Sequence, residues 1–131
     1  MHYSTADNKH GLRFNPFKAL IVPRPIGWIA SLSSDGVRNL APYSYFNAVS
    51  DSPPMVLFSS AGRKDSLRNI EETGEFTCSL ANWDLRDRMN LSSAPVAAGV
   101  DEFELAGLTA AASVMVKVPR VAESPDRKSV V

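Results

Sequence analysis

A chain of 131 residues is the size of one domain with a single core. Its 14 basic and 14 acidic residues cancel, which excludes a general nucleic-acid binder, whose affinity rests on a surplus of cations. No apolar run approaches membrane-spanning length and the start does not resemble a signal peptide, so a cytoplasmic protein with no membrane partner is expected.

In chain order, residues 1–14 are polar and read as an arm carrying both histidines, His2 and His10. With no other histidine, neither a metal site nor a His-dependent triad is supported. Ala19-Leu20-Ile21-Val22 is a short apolar run, and Pro23-Arg24-Pro25 after it must be extended. Ile26 to Ser34 reads as a strand, with Trp28 in the core. Asp35-Gly36 predicts a tight two-residue hairpin turn with both positions at positive φ. Val37 to Ser44 returns antiparallel, and Pro42 within it demands a bulge or a sheet edge. Met55 to Ser59 reads as a buried strand. Asp65 or Ser66 is expected to cap a helix that Gly74 ends, with Leu67 and Ile70 facing inward. Glu75 to Leu80 is a further strand. Its Cys78 is the single cysteine, which precludes an intrachain disulfide and reads as a small core residue rather than a nucleophile. Asn82 or Asp84 opens a second helix with Leu85, Met89 and Leu91. Asp101 to Leu105 is a helical turn, and Leu108 to Val118 a strand closed by Pro119. Hairpins dominate over βαβ units, so the expected class is a mainly-β antiparallel barrel or sandwich with short helices. The glycine signatures of a Rossmann site and of a P-loop are both absent.

Two stretches carry chemistry. Ser59-Ser60-Ala61-Gly62-Arg63-Lys64-Asp65-Ser66 joins a strand to a helix through hydroxyls, a flexible glycine and two cations. A phosphate monoester wants that set: Arg63 and Lys64 for charge, Ser59, Ser60 and Ser66 as donors, and free amides at the helix start. The plain alternative is a solvated turn with an ordinary cap. Asn39 to Ser50 is rich in aromatics and small polar residues. It could offer an apolar wall and, as a loop leaving the ladder at Asn47-Ala48-Val49-Ser50, backbone donors for a flat heterocycle. Trp28 and Phe46 read as packing residues instead.

Several blocks in one order make the chain resemble a known family. Pro23-Arg24-Pro25-Ile26-Gly27-Trp28, Asn39-Leu40-Ala41-Pro42-Tyr43-Ser44-Tyr45-Phe46-Asn47, Pro53-Pro54-Met55-Val56-Leu57-Phe58-Ser59 and Lys64-Asp65-Ser66-Leu67-Arg68-Asn69-Ile70 are similar to the flavin reductase-like, FMN-binding split-barrel family. The resemblance spans Asn15 to Pro125. It implies an antiparallel Greek-key split β-barrel over residues 15–125, a homodimer, and FMN rather than FAD as cofactor. It also implies hydride transfer from NAD(P)H to flavin, in many members to supply a separate monooxygenase component. No catalytic side chain and no metal are implied, because the cofactor does the chemistry. The implied phosphate contacts are Ser59, Arg63, Lys64 and Ser66. The implied ring segment is Ala41, Pro42, Tyr43, Ser44, Asn47, Ala48, Val49 and Ser50, with Ser31 and Asn39 beside the ribityl chain.

Family members continue past the region of Pro125, whereas residues 126–131 read as a divergent charged tail. Missing strands would leave an open edge and make an FMN-binding module or carrier without turnover the alternative expectation.

Overall fold

The computed structural model describes residues 2–131. Among these, eight strands and four α-helices are formed, and every strand pair is antiparallel, as the sequence predicts. The first element, α1 (Pro16–Leu20), is a helix that the apolar run did not reveal. Its cause is local. Asn15 Oδ1 accepts the Phe17 amide at 2.9 Å, and Pro16 occupies the first helical position, where a missing N–H breaks nothing.

Strands β1 (Gly27–Leu32) and β2 (Arg38–Tyr43) form the expected hairpin, pairing Gly27 with Tyr43 through to Leu32 with Arg38. The turn itself differs from expectation. The Gly36 amide donates to Ser33 O at 3.0 Å, so Ser34 and Asp35 are the central residues, and only Gly36 takes positive φ, +85°. A three-residue loop with one left-handed glycine satisfies the strand twist as well as the two-residue form does.

The segment expected to leave the ladder is instead β3 (Phe46–Asp51), paired with β4 (Pro54–Phe58) as a separate hairpin. Its one irregularity is a register shift between Ala48 and Ser50, which leaves Val49 as the extra residue of a bulge. Strand β4 is present but not buried: Met55 and Leu57 are 49% and 56% exposed. A two-stranded hairpin has only one covered face, which an apolar run cannot reveal.

Strands β5 (Phe76–Ser79) and β8 (Arg127–Val130) complete a four-stranded sheet in the order β2-β1-β5-β8. The charged residues 127 and 128 thus sit in an edge strand, where charge is tolerated and guards the edge. Most of Leu108 to Val118 is not strand; only β6 (Ala110–Ala111) is, paired with β7 (Arg120–Val121). Val114 and Met115, the apolar residues that suggested a strand, are 95% and 80% exposed.

Helix α2 (Asp65–Thr73) ends at Gly74, φ +72°, as expected. Neither Asp65 nor Ser66 caps it. Lys64 holds the cap position, Asp65 pairs with Arg68 at 2.7 Å, and Ser66 is turned into the core. Asn82 does cap the next helical segment, accepting the Leu85 amide at 3.1 Å before α3 (Arg86–Leu91). Asp101 caps α4 (Glu102–Leu105).

The sheet is covered on both faces. Alternation in β1 sends Trp28 and Ala30 to one cluster, with Leu40, Leu85, Phe103, Val118 and Val121, and Ile29 to another, with Tyr43 and Cys78. Trp28 is fully buried core as predicted, and its indole N–H donates to Ser92 Oγ at 3.0 Å. Gly27 is where the β3–β4 hairpin closes on the sheet. A Cβ there would lie 2.4 Å from the Phe46 ring. Gly27→Ala should therefore cost about 1–3 kcal/mol of stability by overpacking. Urea denaturation of the purified variant measures it, and an unchanged midpoint would show that the ring yields freely.

Candidate functional site

The start of α2 is built in an unusual way. The turn before it is shaped by Gly62, φ +87°, and held by Ser60 Oγ donating to Gly62 O at 2.9 Å. Only glycine takes that φ without strain. Because Lys64 supplies no side-chain cap, the first-turn amides of α2 have no capping acceptor. The side chains that the sequence nominates as caps are committed elsewhere. Ser66 accepts a hydrogen bond from Asn39 Nδ2 at 2.8 Å, and Asn39 Nδ2 also reaches Ser31 Oγ at 3.3 Å. Asn69, one turn on, donates to the same Ser31 Oγ at 3.2 Å. Ser31, Asn39, Ser66 and Asn69 are all buried. The inward face of α2 is thus polar, while Leu67 and Ile70, expected there, are only half-buried.

This packing aims the uncapped end of α2 into a cleft of about 480 Å³, a size suited to a cofactor. One wall is β2, with Asn39, Ala41, Pro42 and Tyr43, and the bend Ser44–Tyr45 that follows it. The end of the cleft is Ser59, Ala61, Lys64, Asp65 and Ser66. The facing wall is the loop Ser92 to Val96, with Glu102 between.

The nominated residues divide. Asn39, Ala41, Pro42, Tyr43, Ser44, Ser59, Lys64 and Ser66 line the cleft. Ser31 lies behind it, fully buried under Asn39. Arg63 points away and pairs with Glu71 at 2.8 Å on the surface. Asn47, Ala48, Val49 and Ser50 lie along β3 and do not line the cleft; the Ala48 amide is taken by Asn47 Oδ1 at 2.9 Å. The loop Ser92 to Val96 and Glu102 escaped the sequence reading. Ser92-Ser93-Ala94-Pro95 signals a loop but not its neighbour, because the contact that places it, Trp28 to Ser92, spans 64 residues.

Glu102 is a buried carboxyl in the cleft wall. Its Oε2 accepts the Leu40 amide at 3.0 Å. Burial pushes its pKa up, against the pull of that amide, and Asp65 and Asp101 add to the rise. The Cys78 thiol is likewise pushed up, chiefly by burial, which suits a core residue and not a thiolate nucleophile. Of the cations at the end of the cleft, Lys64 has no ion-pair partner among the described residues. Uncapped helix amides, an ammonium without an ion-pair partner among the described residues and serine hydroxyls are the donor set an anion needs; the β2 wall beside them is mixed in polarity.

Fold and cleft together define a split-barrel protein with a nucleotide-sized site at the sheet edge. The chain belongs to the flavin reductase like domain family, whose model matches residues 19–127. It is 40% identical over 110 residues to an uncharacterized protein of Aquifex aeolicus, covering 80% of this chain and 56% of that one. With an uncharacterized protein of Deinococcus radiodurans it shares 37% identity over 133 residues, 95% of this chain and 59% of the other. The chain therefore spans under two thirds of the length of these relatives. Among solved structures it superposes on nitrilotriacetate monooxygenase component B of Bacillus cereus with a TM-score of 0.86 and 32% identity, over 98% of this chain and 66% of the other. The 2-nitrobenzoate 2-nitroreductase of Pseudomonas fluorescens gives 0.86 and 28%, over 98% and 64%.

Glu102 allows a stability test. Its folded pKa is raised above the unfolded value, so its contribution is most favourable at low pH and is lost as pH rises through the folded pKa. Glu102→Gln keeps an acceptor for the Leu40 amide without the charge. It should match or exceed the parent in stability at neutral pH, the gap closing as pH falls. Glu102→Ala leaves the amide unpaired and should cost about 1–3 kcal/mol. Denaturation midpoints at two pH values decide this; a Gln variant as weak as the Ala variant would contradict it.

Proposed function

We propose that the protein is an FMN-dependent flavin reductase that takes hydride from NADH or NADPH. The observation that carries this is the uncapped start of α2, with Lys64 and Ser66, opening into a cleft whose long wall is β2. The fit to FMN is chemical. A phosphate carries close to two negative charges and strong acceptors, which answer the free amides and the ammonium. Ser59 and Ser66 lie at the same end. The isoalloxazine would rest along Ala41, Pro42, Tyr43 and Ser44, and Asn39, which lines the same wall, would meet the ribityl chain.

When bound, the flavin supplies the hydride acceptor, so the protein needs no acid or base at the reacting atoms. Its residues bind and orient. Tyr43, packed on Phe58 with ring centroids 4.7 Å apart, keeps the wall rigid. The Ser92 to Val96 loop narrows the opposite side and limits water. Asn47, Ala48, Val49 and Ser50 come to the ring only if it extends beyond the cleft along β3, and Arg63 reaches the phosphate only by leaving Glu71. The family resemblance adds a homodimer as the working unit. Similarity to a protein named as a monooxygenase component supports delivery of reduced flavin to a partner oxygenase.

The purified protein should show a flavin absorption spectrum with FMN and oxidise NADH or NADPH in a flavin-dependent way. FMN binding without nicotinamide oxidation would instead identify a binding module or carrier. Lys64→Ala should weaken FMN by about tenfold or more while leaving riboflavin almost unchanged, since a charge-assisted hydrogen bond is worth about 1.5–3 kcal/mol. Arg63→Ala should do less, because its guanidinium is already engaged. Equal losses for FMN and riboflavin would place the phosphate elsewhere.

A further inference from the structure

At the sheet edge opposite the cofactor cleft, a second cavity of about 270 Å³ lies among β5, β8 and the segment joining β6 to β7. Its charged lining is Arg120, Arg127 and Lys128, with no carboxylate. Neither arginine enters an ion pair among the described residues; Lys128 pairs with Asp126, which does not line the cavity. The decisive atom is Arg127 Nη1, which is buried and has no hydrogen-bond partner. A buried, charged donor without an acceptor is costly, and native structures seldom leave one unanswered. The neighbouring hydroxyls do not answer it. Thr77 Oγ1 donates to Pro119 O at 2.7 Å, and Ser113 Oγ donates to Val118 O at 2.6 Å.

We propose that this cavity is a second anion site, built to take a phosphate group on the guanidinium groups of Arg120 and Arg127 that line it. Three cations, one of them offset by Asp126, leave about two positive charges. A phosphate near neutral pH matches that charge, and a carboxylate supplies only half of it. The volume leaves room for a small substituent on the phosphate. Strand β1 stands between β5, which lines this site, and β2, which lines the cofactor cleft, at least two inter-strand steps or ~10 Å. The inference does not depend on flavin binding.

The test is calorimetric titration of inorganic phosphate, adenosine monophosphate and acetate at matched ionic strength. It uses the parent protein and the Lys64→Ala variant, in which the cofactor cradle has lost its cation. Saturable phosphate binding is expected in both proteins, with acetate at least tenfold weaker. Arg127→Gln should weaken phosphate at least tenfold, and Arg120→Gln, which alters the same cavity from β7, should do the same. Either variant, if folded by its thermal midpoint, is sufficient. Adenosine monophosphate tighter than inorganic phosphate would identify a monoester as the ligand, and equal affinity would identify the free ion. The proposal is overturned if neither phosphate compound binds saturably, if acetate binds as tightly, or if phosphate affinity is unchanged in a folded arginine variant, whether or not it also survives Lys64→Ala.

Discussion

The hydrogen bonds among Ser31, Asn39, Ser66 and Asn69 decide where the site is. They join the central strand β1, the edge strand β2 and helix α2 through side chains buried from water. Each bond adds little net stability, but an unpaired member would cost more than the bond gains. Such a cluster tolerates few arrangements. It fixes α2 in rotation and in register along β2, and so fixes the direction in which its uncapped amides point. An apolar face would have held the helix as firmly and specified its position less.

The edge strand is managed with the same economy. Leu40 sends its amide away from β1, and Glu102 accepts it. Pro42 lies two residues along, with the same outward orientation, so its missing N–H breaks no ladder bond. The edge is thereby closed to other strands near α4, and its remaining length becomes the wall of the cleft. Burial of Glu102 carries a cost that appears as its raised pKa. The carboxyl is held there because it ties α4 to β2.

The charge in the cleft follows from who is already engaged. Asp65 is tied to Arg68, Glu102 to a backbone amide, and Arg63 to Glu71. Lys64 remains with no ion-pair partner among the described residues, beside free helix amides. The cleft therefore presents a local positive end in a chain of zero formal charge. Counting charges along the turn would credit it with two cations; the folded arrangement supplies one and holds the other in reserve on the surface.

Much of the fold was legible in local patterns. The β1–β2 hairpin, the helix ended by Gly74, the Asn82 cap and the short α4 each depend on residues within a few positions of one another. The turn before α2 was legible as a unit for the same reason: its glycine, hydroxyls and cations are consecutive. Other elements take their state from their surroundings, which local sequence does not carry. Asn47 to Ser50 became a strand because β4 was there to pair with it, and Leu108 to Val118 stayed largely irregular for want of a partner beyond two residues. The polar inner face of α2, the wall from Ser92 to Val96 and the place of Glu102 depend on contacts of 27 to 64 residues' separation. What the amino-acid order determined by itself is the antiparallel, hairpin-rich class, the β1–β2 pairing, the helix that Gly74 ends and the cluster of glycine, hydroxyls and cations before that helix. Which side chains meet across that turn was decided only when distant segments packed, because burial and hydrogen-bond satisfaction are properties of the assembled interior and not of any stretch of chain.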